Sequence, residues 1–422
     1  MKYFTCSRSL LLSVLFTAST LVGTSGTAFA DEEDTVIVRF ATFNASLNRD
    51  FAGDLAAELA APGSMQPDVV AEIIQRTRPD VLLINEFDFD VNGDAAQFFL
   101  DNYLSVPHGD ALPIIYPYWY VADSNTGVFS GFDLDNSGVV GDFLPGDSFG
   151  FGLFPGQFAF VIYSMYPIDH ASIRTFQNFL WADMPGALLP FDPVANEPWY
   201  SDDELDVVRL SSKNHVDLPI EIGEKVVHFL VSHPTPPVFD GPEDRNGTRN
   251  YDEIRFWADY IGPGRNPGRY IYDYSCNEGG LKPGSLFVIA GDQNADPFDG
   301  DSIPGAAQLL LDHPLVNTKV TPWAQGGIDR GAVQGGSNDF HLSDPAEDTA
   351  DFSEAPFGPG NLRADYVLPG KSLQISDAGI FWPADDDPLS VLTGTGIFGD
   401  PNAVPGSDHR LVWVDIEVPY QD

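Results

Sequence analysis

Short runs of apolar residues, each followed by polar residues, recur along most of the chain. Seven of these runs are rich in β-branched and aromatic residues and are about as long as one strand, which predicts β-strands. They cover residues 36–43, 81–84, 158–163, 226–232, 286–290, 364–368 and 411–416.

Two other segments carry apolar residues at helical spacing. Residues 67–78 place Val70 and Ile74 on one face, and residues 251–261 repeat the pattern around Trp257. Apolar residues three and four positions apart form one stripe along a helix. We predict an amphipathic helix in each segment.

Two stretches show no such pattern and are predicted as long loops. Residues 123–157 are rich in Gly, Phe and Asp, and residues 296–362 are rich in Gly, Pro and Asp. Structureless stretches of this length are uncommon unless they are functional or irregular but packed. Neither has the composition of a linker between domains, so we predict one domain over residues 31–422 with two loop insertions.

The N-terminus has the layout of a cleaved secretory signal peptide, predicted over residues 1–30. Lys2 and Arg8 precede an apolar run, and small residues stand at Ala28 and Ala30. The alternative is a membrane anchor, but the apolar run is short and interrupted by Ser and Thr. We expect a secreted or periplasmic protein without stable membrane insertion.

The charge of the chain is strongly negative, with 21 basic and 62 acidic residues and a formal net charge of −41. Such a field attracts cations and repels polyanions. Tight binding of long nucleic acid at low salt is therefore disfavoured, because it depends on basic patches that release counterions. Adaptation to a salty medium is the alternative explanation of the acidic composition, since salt screens surface charges.

Polar residues stand at the ends of most predicted strands. A single Asn or Asp at such a position is usually a turn former. Glu86 is harder to explain in this way, because an ionised carboxylate beside a buried strand is costly without a partner. The set consists of Asn44, Glu86, His233, Gly291-Asp292-Gln293-Asn294, Asp365-Tyr366 and Ser407-Asp408-His409.

This ordered set resembles the pattern of the endonuclease/exonuclease/phosphatase superfamily over nearly all of residues 36–416. Two departures are Gln293, where an aromatic residue is common, and the stiff segment that begins at Pro234. The resemblance implies an α/β (α+β) four-layer sandwich, with two packed β-sheets flanked by helices. It also implies hydrolysis of a phosphate ester.

The resemblance assigns Asn44, Glu86 and Asp408 to a metal site. Glu86 supplies the hard oxygen ligand that Mg²⁺ or Mn²⁺ prefers. Neutralising a phosphoryl group with such a cation is a common route to phosphoester hydrolysis.

Five further residues are implied as catalytic. Asp292 would orient and deprotonate the attacking water, and Asn294 would aim that water or hold a phosphate oxygen. His409 would donate to the phosphoryl oxygen, with its imidazole held and charged by Asp365. His233 would contact the phosphate or assist the leaving group. We expect Asp292 and His409 to lie in a solvent-filled cleft.

Two weaker patterns are also candidates for binding. Arg209, Lys213 and His215 could hold a substrate phosphate, or they could belong to a solvated edge strand. The second pattern, with Asp133, Asp135 and Ser137 at alternate positions, is similar to the first half of a Ca²⁺ loop. Its twelfth residue is not Glu, so an acidic turn is the alternative to a structural Ca²⁺ site.

The sequence therefore predicts a secreted, metal-dependent phosphoesterase that acts on a phosphomonoester or phosphodiester as a monomer. An extracellular nuclease is the alternative within the same catalytic chemistry. A catalytically inactive binding module on the same fold is a third hypothesis. It would show substitutions in the ordered set, and the set is complete.

Overall fold

A computed structural model describes residues 35–262, 267–352, 358–396, 400 and 402–420. Fifteen strands lie within these ranges. They are β1 Thr35–Asn44, β2 Val81–Asn85, β3 Tyr118–Ala122, β4 Phe160–Ser164, β5 Arg174–Thr175, β6 Phe191–Asp192, β7 Glu197–Pro198, β8 His215–Ile222, β9 Lys225–Ser232, β10 Leu286–Asp292, β11 Ala350–Asp351, β12 Asn361–Leu362, β13 Asp365–Pro369, β14 Gln374–Ile380 and β15 Val412–Pro419.

Seven α-helices accompany the strands. They are α1 Asp54–Leu59, α2 Met65–Thr77, α3 Asp94–Phe99, α4 Asp202–Leu205, α5 Arg245–Ile261, α6 Gln308–Leu311 and α7 Gln325–Gln334. None of the helices in the described part of the chain is long and apolar enough to cross a membrane.

The two main sheets contain most of these strands. The first sheet has six strands in the order β14-β15-β1-β2-β4-β3, and the second has five in the order β13-β10-β9-β8-β5. Each sheet has one parallel pair at its centre, β1 with β2 and β9 with β10. The β11-β12 and β6-β7 pairs form two small separate ribbons.

Three apolar clusters divide the molecule into four layers. The first lies between the sheets and contains Phe40 and Phe229, whose ring centroids are 5.3 Å apart. A second packs α1, α2 and α3 on the outer face of the first sheet, and a third packs α5 and α6 on the outer face of the second. The predicted four-layer α/β sandwich is confirmed.

All seven predicted strands and both predicted helices are present. At most ends, the observed boundary lies within three residues of the predicted one. Helix α5 is the exception, because it begins at Arg245 rather than near 251. Its first turns are polar throughout, so they lack the apolar spacing on which the prediction depended. Strand β14 was also missed, because several of its side chains are exposed at the edge of the first sheet.

The sequence predicted two long loops and a signal peptide, and the structure bears differently on each of them. Residues 123–157 contain no helix or strand of the main layers, although all of them are described. Residues 296–362 are not one loop, since α6, α7, β11 and β12 lie within them. The predicted signal peptide, residues 1–30, lies outside the described residues. The single-domain organisation stays a prediction.

The second insertion buries an ionisable side chain at Asp348, which is 2% exposed. Its Oδ1 has no hydrogen-bond partner among the described residues. Burial raises the pKa of Asp348 to about 8, and the nearby carboxylates of Asp296 and Asp299 add to this effect. A carboxyl whose pKa is raised by folding destabilises the fold increasingly as pH rises from its ordinary pKa toward the raised one.

We expect Asp348→Asn to leave the melting temperature unchanged near pH 4 and to raise it by about 2 °C or more at pH 7. The amide cannot ionise, so the variant avoids the cost of a buried charge above the ordinary pKa. Thermal melts at the two pH values measure this, with the exposed Asp386→Asn as control. A change of equal size at both pH values would contradict the explanation.

Candidate active site

Four strands end at one edge of the sandwich and carry polar side chains into the layer between the sheets. Because β1 runs parallel to β2, and β9 to β10, their carboxyl ends meet at this edge. Side chains alternate along a strand. Val38 and Phe40 lie in the inter-sheet core, so Asn44 faces the same layer, and Val288 places Asp292 there in the same way.

Asn44 joins the two sheets at the centre of this cluster. Its Nδ2 donates to Glu86 Oε1 at 3.1 Å and to Asp292 Oδ2 at 3.0 Å. The other oxygen of Glu86 accepts from Asn48 Nδ2 at 2.9 Å. The sequence analysis missed Asn48, although its place four residues after Asn44 offered a signal. The Asn44 and Asn48 amides thus fix the carboxylates of Glu86 and Asp292. Each carboxylate keeps further lone pairs that can bind another group.

The Ser407-Asp408-His409 segment is tied to the same strand end. Ser407 Oγ donates to the Asn44 backbone oxygen at 2.6 Å and accepts from the His409 backbone N–H at 3.0 Å. Ser46 Oγ lies 3.5 Å from Asp408 Oδ1. These bonds hold Asp408 beside the strand that carries Asn44, so two candidate metal ligands share one local framework.

His409 lies between two carboxylates. Its Nδ1 is 2.8 Å from Asp365 Oδ2, and its Nε2 is 3.7 Å from Asp292 Oδ2. Thr349 Oγ1 donates to Asp365 Oδ2 at 2.8 Å, and the Phe352 ring meets the imidazole edge-on. Asp292 and His409 are at most 5% exposed, so the expectation that they lie in a solvent-filled cleft is wrong, and Asp365 is buried as well.

The protonation states follow from this arrangement. Burial opposes the charge of His409, but the carboxylates of Asp365 and Asp292 outweigh it and hold the pKa of the imidazole well above its ordinary value. Burial also opposes the charge of Asp292, but His409 and His233 hold the pKa of that carboxyl below its ordinary range. Ligand atoms of Asp292, Asp365 and His409 are close enough together to hold a cation. The charged imidazole of His409 already supplies the positive charge between the two carboxylates.

His233 and Asn294 complete the cluster. His233 Nε2 lies 3.4 Å from Asp292 Oδ2, while its buried Nδ1 has no hydrogen-bond partner among the described residues. The Asn294 backbone N–H donates to Asp292 Oδ1 at 2.9 Å. Asn294 and Glu86 have positive φ angles of 50° and 57°. Non-glycine residues held in this region are enriched at functional sites.

Gly291 shows why the residue before Asp292 cannot carry a side chain. Its φ is 147°, and a Cβ at this position would lie 1.9 Å from the backbone oxygen of Ser232 on the neighbouring strand. The close approach of β9 and β10 therefore requires glycine. It also brings His233, which follows β9, within reach of Asp292, the last residue of β10.

Lys213 is the one predicted substrate-binding residue that lies near the cluster. It is 7% exposed, and its Nζ lies 3.4 Å from the Pro234 backbone oxygen, which also accepts from Asn294 Nδ2. Burial lowers the pKa of Lys213, whereas the carboxylates of Glu253, Glu86 and Asp292 favour its charged form.

The other two predicted substrate-binding residues are placed elsewhere. His215 is 1% exposed, with Nδ1 2.7 Å from Ser211 Oγ and Nε2 2.9 Å from the Glu253 backbone oxygen. Both ring nitrogens are therefore used within the core. The guanidinium of Arg209 lies over the Phe149 ring and bonds to Asn125. The prediction that His215 binds the substrate is corrected, because both of its ring nitrogens are held by the protein's own groups. Substrate binding by Arg209 stays a prediction.

Helix α5 supplies two positioning residues that the sequence analysis missed. Glu253 is fully buried, and its carboxylate accepts from the backbone N–H of Ser212 and of Thr235, each at 2.6 Å. Asn250 Nδ2 donates to the Thr235 and Gln293 backbone oxygens. The helix thereby fixes the segments that carry Lys213, His233 and Asn294. On the sequence both residues look like the polar face of a helix.

The candidate Ca²⁺ loop brings three carboxylates together. Oxygen atoms of Asp133, Asp135 and Asp147 lie within 4.8 Å of one another. Asp147, which the sequence analysis did not include, is fully buried and accepts from the Leu134 backbone N–H at 2.8 Å. Ser137 does not belong to this group of carboxylates. Its backbone N–H donates to Asp133 and Asp135.

The four-layer sandwich carries carboxylates, amides and histidines at one end of its inter-sheet layer. The chain belongs to the endonuclease/exonuclease/phosphatase family, whose model matches residues 41–409. The match begins on β1 and ends at His409, so it includes every predicted catalytic and metal-binding residue. No curated protein matches the sequence.

Several solved structures are similar to this chain at low sequence identity. An endonuclease/exonuclease/phosphatase from Beutenbergia cavernae is 14% identical with a TM-score of 0.44, covering 90% of this chain and 72% of its own. Beta toxin from Staphylococcus aureus is 16% identical with a TM-score of 0.42, covering 89% and 99%. Truncated TDP2 from Caenorhabditis elegans is 13% identical with a TM-score of 0.39, covering 90% and 98%.

Proposed function

We propose that the protein is a secreted, metal-dependent phosphoesterase in which Asp292 activates the attacking water. The observation that carries this proposal is the meeting of Asn44, Asp292 and His409, whose backbones belong to three distant parts of the chain. Family membership supports hydrolysis of a phosphate ester, and the geometry supports the separate roles proposed below.

The residues proposed to hold a divalent cation are Glu86, Asp408 and Asn44. Glu86 and Asp408 are half-buried, and neither has an ion-pair partner in the part of the chain that the structure describes. Half-buried carboxylates without a cation are costly, and their hard oxygens suit Mg²⁺ or Mn²⁺. The donor set therefore fits the metal. A bound cation would neutralise charge on the phosphoryl oxygens.

Asp292 is proposed as the general base. Its pKa lies below the ordinary range, so it is a carboxylate at neutral pH and can accept a proton from water. Asn44 and the Asn294 backbone N–H fix the two oxygens of this carboxylate. A fixed carboxylate aligns the water before reaction, which is where much of the catalytic advantage of positioning arises.

His409 is proposed to donate to the phosphoryl oxygen as charge develops there. Its charged imidazole is held by Asp365, so its orientation costs little at the moment of reaction. His233 is proposed to contact the phosphate or the leaving group, because its Nδ1 is buried and has no hydrogen-bond partner among the described residues. Lys213 is proposed to add positive charge near the same carboxylates.

A structural Ca²⁺ ion is proposed for the group of Asp133, Asp135 and Asp147. Three carboxylates at this spacing favour a hard cation with several oxygen ligands. The loop that carries them contains no strand or helix of the main layers, so a cation would add a cross-link that the backbone lacks.

We expect a side-by-side screen to show Mg²⁺- or Mn²⁺-dependent turnover of a small phosphate ester and weaker turnover of duplex DNA. The acidic surface disfavours a long polyanion at low salt. Nucleotides, inositol phosphates, phospholipid head groups, RNA and DNA are compared at equal phosphate concentration. Faster turnover of DNA than of every small ester would favour the alternative, an extracellular nuclease. No turnover of any ester would contradict the proposal.

Export is tested on the same preparation. The proposal places the mature N-terminus near Asp31, so protein collected from the medium is sequenced from its N-terminus. An intact Met1 in that material would contradict the signal peptide.

A further inference from the structure

Three charged side chains are buried together beside the Ser407-Asp408-His409 segment. Arg330 is 4% exposed, Arg410 is 2% exposed, and Asp351, which contacts both, is 4% exposed. Arg410 Nη2 donates to Asp351 Oδ2 at 2.9 Å, and Arg330 Nε lies 3.5 Å from the same oxygen. We call these three residues the buried triad. They belong to α7, to β11 and to the segment that precedes β15.

The triad holds the backbone of the segment that carries Asp408 and His409. Arg410 Nη1 donates to the Ser407 backbone oxygen at 2.8 Å and to the His409 backbone oxygen at 3.1 Å. The backbone N–H of Asp351 donates to the Asp408 backbone oxygen at 2.7 Å. Each of the three carbonyl groups of this segment is therefore bonded to a member of the triad.

Stability alone is a weak reason for burying these charges. Taking a guanidinium or a carboxylate out of water is costly, and apolar side chains of similar volume often stabilise a fold equally well. The Nε atoms of Arg330 and Arg410 have no hydrogen-bond partner among the described residues, so the network is not fully satisfied. What the triad provides is direction, because a planar guanidinium donates its N–H groups at fixed angles. The Arg410 guanidinium also lies over the Trp382 ring, 4.3 Å from its centroid, which fixes its plane.

We propose that the buried triad positions Asp408 and His409 for the hydrolysis of the phosphate ester. With its carbonyl groups held, the segment presents Asp408 to the cation and His409 to the phosphoryl oxygen. This inference rests on the proposed function for the roles of these two residues. It also gives a role to residues 296–362, because α7 and β11 supply two of the three triad side chains. The triad acts through the segment that it holds and not on the substrate itself.

A variant without charge in the triad separates positioning from folding. We expect Arg330→Met/Asp351→Leu/Arg410→Met to melt close to wild type, because apolar replacement of a whole buried ion network is often neutral for stability. We expect its kcat to fall about 10–100-fold, as the loss of groups that orient catalytic side chains does, with a smaller change in KM. A purely structural network would change the melting temperature and leave kcat of the folded protein unchanged.

The matched control is Arg39→Met/Asp415→Leu, which removes another arginine–aspartate pair. The Arg39 guanidinium bonds to Asp415 at 2.7 Å and lies over the Trp413 ring, as Arg410 lies over a tryptophan. Its third contact is the Thr77 backbone oxygen, on a segment without proposed catalytic residues. We therefore expect this variant to keep the kcat of wild type.

The imidazole of His409 reports its position without any turnover. Its Nδ1 proton is buried and bonded to Asp365, so the metal-free protein should give a slowly exchanging downfield proton resonance that His409→Ala removes. We expect the triple variant to lose or shift this resonance and the control variant to keep it. Arg410→Lys keeps a positive charge beside Asp351 but not the guanidinium that reaches two carbonyl groups, so it should shift the resonance too. It serves as the second variant if the triple variant does not fold.

The outcomes distinguish this inference from the proposed function. A His409 resonance that Arg410→Lys and the triple variant both leave unchanged would overturn the inference, and so would wild-type kcat in a folded triple variant. A resonance that both variants shift, in a protein that hydrolyses no phosphate ester, would contradict the proposed function while supporting the positioning of the segment by the triad.

Discussion

Asp292→Asn should lower turnover by about 10²–10⁴-fold, because the loss of one general base has this effect in many enzymes. The amide is nearly isosteric with the carboxylate, but it has a single oxygen, so it can accept from Asn44 or from the Asn294 backbone N–H and not from both. It cannot accept a proton from water, and it removes one of the two negative charges beside His409. The loss should therefore appear in kcat, with a smaller effect on KM.

The fold should survive this substitution with a modestly lower melting temperature. Asp292 is 1% exposed and its pKa is depressed by folding, so its charge contributes stability above its ordinary pKa. Turnover is therefore compared well below the melting transition, after circular dichroism shows a native spectrum. Asp386→Asn, on an exposed segment, is the matched control.

His409→Ala and Asp365→Asn refine the test. We expect the first to lower turnover by about 10²–10³-fold, as the loss of an electrostatic donor does. The second should have a smaller effect, because it alters only the orientation and charge of His409. If Asp292→Asn and His409→Ala stay folded with near-normal turnover, these residues are structural and the proposed mechanism is wrong.

Removal of divalent cations should abolish turnover, with a loss of about 10³-fold or more, and Mg²⁺ or Mn²⁺ should restore it. Stabilisation of phosphoryl charge by a cation contributes several kcal/mol to the transition state. The measurement is turnover after dialysis against EDTA, followed by titration with each cation.

Glu86→Gln locates the cation within the site. The variant keeps one oxygen, which can accept from the Asn44 or the Asn48 amide, and it loses the charge that attracts the metal. We expect the cation concentration for half-maximal activity to rise at least about tenfold, while Glu224→Gln, on an exposed turn, leaves it unchanged. Full activity in excess chelator would contradict the metal assignment.

The structure brings the predicted site residues together where the local sequence carried the information. Asn44 and Asp292 end, and Asp365 begins, a strand whose alternating residues fill the inter-sheet core, so the direction of each side chain is set by the strand itself. The family resemblance added the roles. The roles themselves stay proposals, because the geometry brings the groups together without showing the reaction.

The prediction failed where a side chain is used by a distant element. His215 looked polar and available on the sequence, but helix α5 covers it and binds its ring. Glu253 and Asn250 looked like an exposed helix face, but three loops fold onto them. Their hydrogen-bond partners lie far along the chain, so no local pattern could identify them.

The sequence by itself determined the positions of the main strands, the amphipathic helices and the order of the polar strand ends. These features depend on periodicity within a few residues, which local backbone geometry dictates. Only the tertiary structure decided that Asn44 lies 3.0 Å from Asp292 and that His409 is buried between two carboxylates. Those contacts exist because the two sheets pack face to face, and packing joins residues that the sequence separates by more than two hundred positions.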